Sequence, residues 1–270
     1  MFREAIGMKK GLFTVLTALF IFSASMPAYA KRSQSVKTYG QVLCQHPNLY
    51  RCIKVKRHDT WEKLFPNPKE RNLVRRLNRM NIPLRPGMRI AVPKDADKLE
   101  FFAISPFPKL IKAPGEETIV FDPRKLAWGA YDAEGELVRW GPASGGSTWC
   151  PDVRRGCRTA RGQFAMYAKK GVTCKSGKYP LPKGGAPMPY CMFFFRGFGM
   201  HASPTVPGYN ASHGCIRIFK EDAKWLNQQF IDIQKNKGRT QVIVLPYGSI
   251  DVSGHMNENQ YDSKTFNAGK

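Results

Sequence analysis

Residues 201–218 read HASPTVPGYNASHGCIRI: two histidines, His201 and His213, then Cys215 two residues after the second, and Arg217 two residues further on. These residue types can perform nucleophilic chemistry. A thiol attacks as its thiolate, so it needs a neighbour that takes or stabilises its proton, and attack on a carbonyl needs donors for the oxyanion that forms. His201 and His213 are both candidate imidazole partners. Gly214 permits close backbone approach and angles that side chains resist, and its N–H and that of Cys215 are candidate oxyanion donors. In an extended segment Arg217 lies on the same side as Cys215, placed to hold a carboxylate or to anchor the local fold. On these residues alone three other fates for Cys215 stay open: a half-cystine, a buried thiol ahead of the apolar Ile216, or a metal ligand.

The chain has seven cysteines, an odd number, and its N-terminus sets their redox context. Residues 8–30, MKKGLFTVLTALFIFSASMPAYA, join a basic start at Lys9 and Lys10 to an apolar run and close on Ala28-Tyr29-Ala30. This is the pattern of a secretory signal peptide cleaved after Ala30, so residues 1–30 are expected to be removed and the mature chain to be exported. In an oxidising compartment paired cysteines become disulfides. Six cysteines pair in about fifteen ways; local spacing favours Cys44 with Cys52, Cys150 with Cys157 and Cys174 with Cys191, which leaves Cys215 over. No CxxC occurs and the spacings are irregular, so no metal is expected. The formal net charge is +23, which draws an exported chain to anionic surfaces such as envelope polymers. The basic residues are spread rather than blocked, and neither zinc-finger spacing nor an RNP-like aromatic motif occurs, so no nucleic-acid partner is expected.

The elements that must position this chemistry read as two folded regions. Residues 31–49 are expected to be a flexible N-terminal segment. In residues 50–94 an alternating strand leads to HDTWEKLF, where Asp59 or Thr60 can cap a helix. A second helix then carries Leu73, Leu77 and Met80 on one face, and LRPGMRIAVP reads as a turn and a strand. Residues 95–115, charged and proline-bearing, read as a linker with some apolar contact to its neighbours. From residue 116 to 247 the pattern is β: runs at 118–121, 125–131 and 136–140 are separated by Asp-Pro and Ala-Glu-Gly turns. Further strands are expected in RGQFAMYAKK, CMFFFRGFGMHA and RTQVIVLP, with a long excursion at 171–190. One helix interrupts them, KEDAKWLNQQFIDIQK, with Leu226, Phe230 and Ile233 on one face. Many short strands favour a mainly β domain, a sandwich or barrel. Residues 248–270 read as a polar tail.

Two family resemblances sharpen this. Residues 50–94 resemble a LysM domain, a small α+β module: Asp59, Thr60, Trp61, Asn78, Leu84, Gly87, Ile90 and Pro93 hold the matching places, while His58 stands where glycine is usual. Glycan binding is what that resemblance implies. The run H-A-S-P…S-H-G-C-I-R-I resembles the active-site signature of the L,D-transpeptidase (YkuD-like) catalytic domain, and the likeness covers roughly residues 116–246. There RTARGQF matches at Thr159, Gly162 and Phe164, with Ala160 replacing proline. Carried onto this chain, the resemblance makes Cys215 the nucleophile and His201 its base. His213 becomes the histidine beside the oxyanion site, Ser212 an orienting residue, Gly214 a backbone contributor and Arg217 the arginine near the bound peptide. Ala202 departs from the usual glycine or serine after the base. The resemblance implies acyl transfer on peptidoglycan tetrapeptide stems without a cofactor. D-alanine would leave, and a second stem peptide, an envelope protein lysine or water would accept the acyl group. Periplasmic, wall-associated localisation follows as an expectation. A non-catalytic cell-wall-binding protein is the rival reading.

Overall fold

The computed structural model describes residues 36–94, 96, 99–234 and 239–253. The signal-peptide expectation for residues 1–30 and most of the polar tail lie outside the described residues. Among those described, no helix is long and apolar enough to cross a membrane.

The first element is a short helix, α1 (Tyr39–Leu43), closed by a capping box in which Thr38 and Gln41 satisfy each other's backbone N–H groups. Tyr39 and Leu43 are fully buried. This part of the expected flexible segment is therefore ordered, because two large apolar side chains find a core. β1 (Tyr50–Lys54) and β2 (Arg89–Pro93) form an antiparallel pair. Between them run α2 (Trp61–Leu64), capped by Thr60, and α3 (Pro68–Leu77), capped by Asn67 with proline at its start. The buried Asn78 ends α3 and stitches it to β2: its Nδ2 donates to the carbonyls of Val74 and Ala91, and its Oδ1 accepts from Ala91 N–H. His58, at the place where glycine was expected, takes φ of 67°, in the left-handed region that favours glycine.

The larger region is mainly β, as the sequence indicated. Nine strands, β3 (Thr118–Asp122), β4 (Ala127–Tyr131), β5 (Leu137–Ser144), β6 (Gly162–Ala165), β7 (Ala168–Lys169), β8 (Met192–Phe195), β9 (Phe198–Ala202), β10 (Ile216–Ile218) and β11 (Gln241–Val244), make one sheet. Its order is β6-β11-β3-β4-β5-β10-β9-β8-β7. The sheet curls, so that Phe164 of β6 packs against Phe194 and Phe195 of β8 at ring-centroid distances of 5.4 and 4.8 Å. Inside the curl lie Ile119, Phe121, Trp128, Met192, Met200, Ile216, Ile218 and Val242. The expected helix at residues 220–235 is shorter: α4 (Lys220–Trp225) gives way to a wider π-helical turn, Leu226–Phe230, and stops there. Lys169 Nζ donates to the carbonyls of Asn227 and Ile231 at 2.9 and 2.7 Å, closing the turn from outside the helix.

The outer face of β3–β5 is covered by the N-terminal region. Val120, Ala127, Tyr131 and Trp140 share one apolar cluster with Tyr39, Leu43, Leu73 and Leu77. All five residues of β3 and of β4 are buried, which is why those strands read as continuous apolar runs rather than alternating ones. The segment read as a linker packs too: Phe101 stacks on Trp140 at 4.9 Å, Phe107 is buried, and Lys109 O accepts from Leu137 N–H. The two regions are joined by a buried ion pair. Asp222 of α4, fully buried, receives both terminal nitrogens of Arg76 from α3 at 2.8 and 2.9 Å, and Arg139 adds a third contact at 3.1 Å.

Removing one partner of a buried pair strands the others' charge, at a cost of about 3–5 kcal/mol. Asp222→Ala is therefore expected to lower the unfolding free energy by about that much in urea titration. Glu221→Ala removes only a half-exposed contact to Arg76 and should cost under about 1 kcal/mol. Equal effects of the two variants would show that the buried pair does not join the regions.

Candidate active site

β9 and β10 are parallel neighbours, with Ile216 opposite Met200, Arg217 opposite His201 and Ile218 opposite Ala202. Met200, Ala202, Ile216 and Ile218 enter the core. Side chains alternate across a strand, so His201 and Arg217 stand on the other face. One step back along the register Cys215 faces Gly199, whose backbone N–H points to the thiol. The sheet therefore brings Cys215, His201 and Arg217 to one face.

The three disulfides are Cys44–Cys52, Cys150–Cys157 and Cys174–Cys191, the pairs favoured by spacing, and Cys215 is free. The thiol is half-buried beside Cys174, Cys191, Met188 and Phe193. Burial raises its pKa, and the Gly199 N–H and the Arg217 charge offset part of that rise. His201 is only 7% exposed. Burial depresses its pKa to about 4, Arg217 adds to the depression, and the Ala202 carbonyl opposes it. Its Nδ1 lies 2.9 Å from that carbonyl, which as an acceptor fixes the Nδ1–H tautomer and leaves Nε2 as the proton acceptor. The contact comes from the backbone of residue 202, so alanine there removes nothing from it.

Ser212 closes the turn that presents Cys215: its Oγ accepts the Gly214 N–H at 3.0 Å and donates to the Cys215 carbonyl. This corrects the expectation for Gly214. Its N–H is spent on Ser212, and the Cys215 N–H is the remaining candidate oxyanion donor of the two. Gly214 has φ of 134°, and a Cβ there would meet the Phe198 ring at 2.7 Å, so only glycine fits. Arg217 reaches Thr205 Oγ1 at 3.4 Å. Its electrostatic neighbours are Cys215 and Tyr209, and among the described residues no carboxylate is paired with it.

His213 is placed differently from His201. Its Nε2 lies 2.7 and 2.9 Å from the two carboxylate oxygens of Asp152, and its ring stacks on Tyr179 at 4.3 Å. Asp152 belongs to the loop stapled by Cys150–Cys157, Tyr179 to the one stapled by Cys174–Cys191, and Arg155 donates across to the Tyr179 hydroxyl at 3.2 Å. Sequence reasoning missed both partners; the one available signal was that each lies inside a short disulfide loop. Cys150, Asp152 and His213 gather potential ligand atoms within 4.8 Å, but the Cys150 sulfur is bonded to Cys157, so a carboxylate–imidazole pair remains.

Residues 116–244 match the YkuD family, described as the L,D-transpeptidase catalytic domain. This part of the chain is an L,D-transpeptidase catalytic domain, and with it the chain carries the catalytic domain of a peptidoglycan acyltransferase. Among solved structures, the chain is similar to an L,D-transpeptidase from Xylanimonas cellulosilytica, with 23% identity and a TM-score of 0.43 over 60% of this chain and 72% of that one. One from Stackebrandtia nassauensis shows 20% identity and a TM-score of 0.40 over 58% and 71%. One from Mycobacterium smegmatis shows 24% and 0.38 over 48% and 59%. No curated protein matches the chain.

With the thiol's pKa raised and that of the imidazole lowered, both groups rest neutral around pH 7. Alkylation of Cys215 by iodoacetamide is therefore expected to keep accelerating from about pH 7 to about pH 9 as thiolate forms. A rate already level by about pH 6 would mean a preformed thiolate–imidazolium pair and would contradict this electrostatic picture.

Proposed function

We propose that the chain is an exported cysteine L,D-transpeptidase that acts on peptidoglycan tetrapeptide stems and works in the periplasm in association with the cell wall. The observation that carries this reading is a free thiol, Cys215, held on the same sheet face as His201 and Arg217 inside the domain matched to that family.

As Cys215 Sγ attacks the carbonyl between diaminopimelate and D-alanine, His201 Nε2 takes the thiol proton. The Cys215 N–H faces the oxyanion. An imidazolium whose pKa is held near 4 is a strong acid, well suited to hand its proton to the departing D-alanine amine. Arg217, with no paired carboxylate among the described residues, is the natural contact for the donor's terminal carboxylate. Collapse of the tetrahedral intermediate expels D-alanine and leaves a thioester. An amine from a second stem, or a lysine of an envelope protein, then attacks the thioester, loses a proton to His201, and releases the thiol. The first acceptor yields a 3→3 cross-link. Residues 50–94 would hold the enzyme to glycan.

The chain and its Cys215→Ala variant, incubated with a disaccharide-tetrapeptide, should separate by mass spectrometry. The chain should release D-alanine and form a cross-linked dimer, and the variant should do neither. D-alanine release without dimer would make water the acceptor and the enzyme an L,D-carboxypeptidase. Absence of any Cys215-dependent product from folded protein would favour a non-catalytic wall-binding role. Export has its own test. The secreted or periplasmic chain should begin at Lys31 on N-terminal sequencing, and retention of residues 1–30 in the cytoplasm would refute it.

A further inference from the structure

We infer that Thr159 and Tyr247 are positioning residues that aim the Cys215 amide for oxyanion binding, an inference that rests on the acyl-transfer reading above. The turn carrying Cys215 has one loose joint. Ser212 holds the Gly214 N–H and the Cys215 carbonyl, but the peptide plane between them, Gly214 C=O with Cys215 N–H, touches neither of these bonds. Next to a glycine at φ of 134°, such a plane can rotate at little steric cost.

Thr159 latches it. This residue is 2% exposed, and its Oγ1 donates to the Gly214 carbonyl at 2.7 Å. The same oxygen accepts the Gly146 N–H at 3.1 Å and the Tyr247 hydroxyl at 3.1 Å. A hydroxyl has one proton and two lone pairs. Both lone pairs are filled, so the Thr159 proton is committed to Gly214. Tyr247 is fixed in turn, because its oxygen accepts the Thr159 N–H at 3.1 Å. Burial raises the Tyr247 pKa, so it stays protonated and remains the donor.

The consequence for Cys215 follows from peptide geometry. The only cis bonds among the described residues precede Pro180 and Pro182, so the 214–215 peptide is trans, and its C=O and N–H point in opposite directions. Drawing the carbonyl into the buried Thr159 network turns the Cys215 N–H out of it. Tyr247 lies just beyond the family-matched residues, so this chain supplies the far end of the latch from its own C-terminal segment.

The test compares two reactions of the same thiol in the full chain. Acyl transfer from p-nitrophenyl acetate passes through a tetrahedral oxyanion; alkylation by iodoacetamide does not. Thr159→Val should slow acylation of Cys215 by about 10–100-fold while alkylation stays within about twofold of the unsubstituted chain. Thr159→Ser, which keeps the hydroxyl, should restore acylation to within about threefold. Tyr247→Phe, which loses only the relay oxygen, should fall between them, and it reads the same ratio if Thr159→Val does not fold. Acylation and alkylation falling together in these variants, or neither falling, would overturn the inference. Tetrapeptide turnover is measured alongside: a chain that acylates from the ester with these ratios yet leaves the tetrapeptide intact would retain the latch and lose the substrate assignment.

Discussion

The parallel pairing of β9 with β10 is the constraint on which the site depends. It sets Arg217 opposite His201 and leaves Cys215 beside Gly199, although thirteen residues, irregular after Ala202, separate His201 from Cys215. What fixes the register is hydrophobic. Met200, Ala202, Ile216 and Ile218 all face the interior of the curled sheet and are essentially inaccessible, and burying an isoleucine is worth about 1.5–3 kcal/mol. A slip of one residue would carry both isoleucines out and turn Cys215 and Arg217 inward. The greasy face of these two short strands thus dictates the chemistry of the opposite face.

That placement has an electrostatic consequence. Cys215 and His201 sit where water is scarce, so burial disfavours the charged form of each, and Arg217 disfavours imidazolium while favouring thiolate. The two Arg217 effects do not add up to an ion pair, because the larger burial effects act against charge on both groups. In the proposed mechanism, proton transfer from sulfur to Nε2 would therefore accompany attack rather than precede it. In that mechanism the cost of making the thiolate is offset at the next step, when a strongly acidic imidazolium would protonate a poor leaving amine. The Ala202 carbonyl serves both stages: it holds one tautomer and accepts the same Nδ1–H whether the ring is neutral or charged.

Much of this was legible in the sequence, for identifiable reasons. Most strands of the curled sheet were readable because turns bracket them and apolar residues repeat; the three residues of β10 were too few to be read as a strand. The family was readable because SHGC-x-R packs several chemical requirements into six positions, and the free thiol because the other six cysteines pair at short spacing. What escaped depended on long-range contact. Helix α1 carries too few residues to show a period, and its order comes from Tyr39 and Leu43 docking under β3–β5. The segment at 95–115 read as a linker with some apolar contact, but its prolines and charges gave no sign that Phe101 stacks on Trp140. The helix at 220–235 kept its apolar spacing past its true end, since Ile233 still packs on the core after the backbone has left the helix. Nothing local marks Tyr247 as a neighbour of the Cys215 turn, and the one mark on Asp152 and Tyr179 is the short disulfide loop that holds each. The Gly214 N–H could not be assigned from sequence, because Ser212, only two residues away, competes for it.

The crossover from β9 to β10 shows how an irregular segment can be held firmly enough for catalysis. It lacks helix or strand hydrogen bonds of its own, so neighbouring elements supply them. Asn81, just past α3, donates its N–H to the Val206 carbonyl, its Oδ1 accepts the Val206 N–H, and its Nδ2 donates to the Ser203 carbonyl. Tyr39 N–H at the start of α1 donates to the Gly208 carbonyl at 2.8 Å. Asn210 receives the Gly145 N–H and donates to the Pro123 carbonyl. Ser147 N–H then meets the Ser212 carbonyl, immediately before the turn that carries Cys215. The N-terminal region therefore braces the first half of the crossover, and the β5 end with its stapled loop braces the second. Positioning of this kind is paid for during folding, through burial of Arg76, Leu73 and Leu77 far from the thiol, so that little reorganisation remains when substrate arrives.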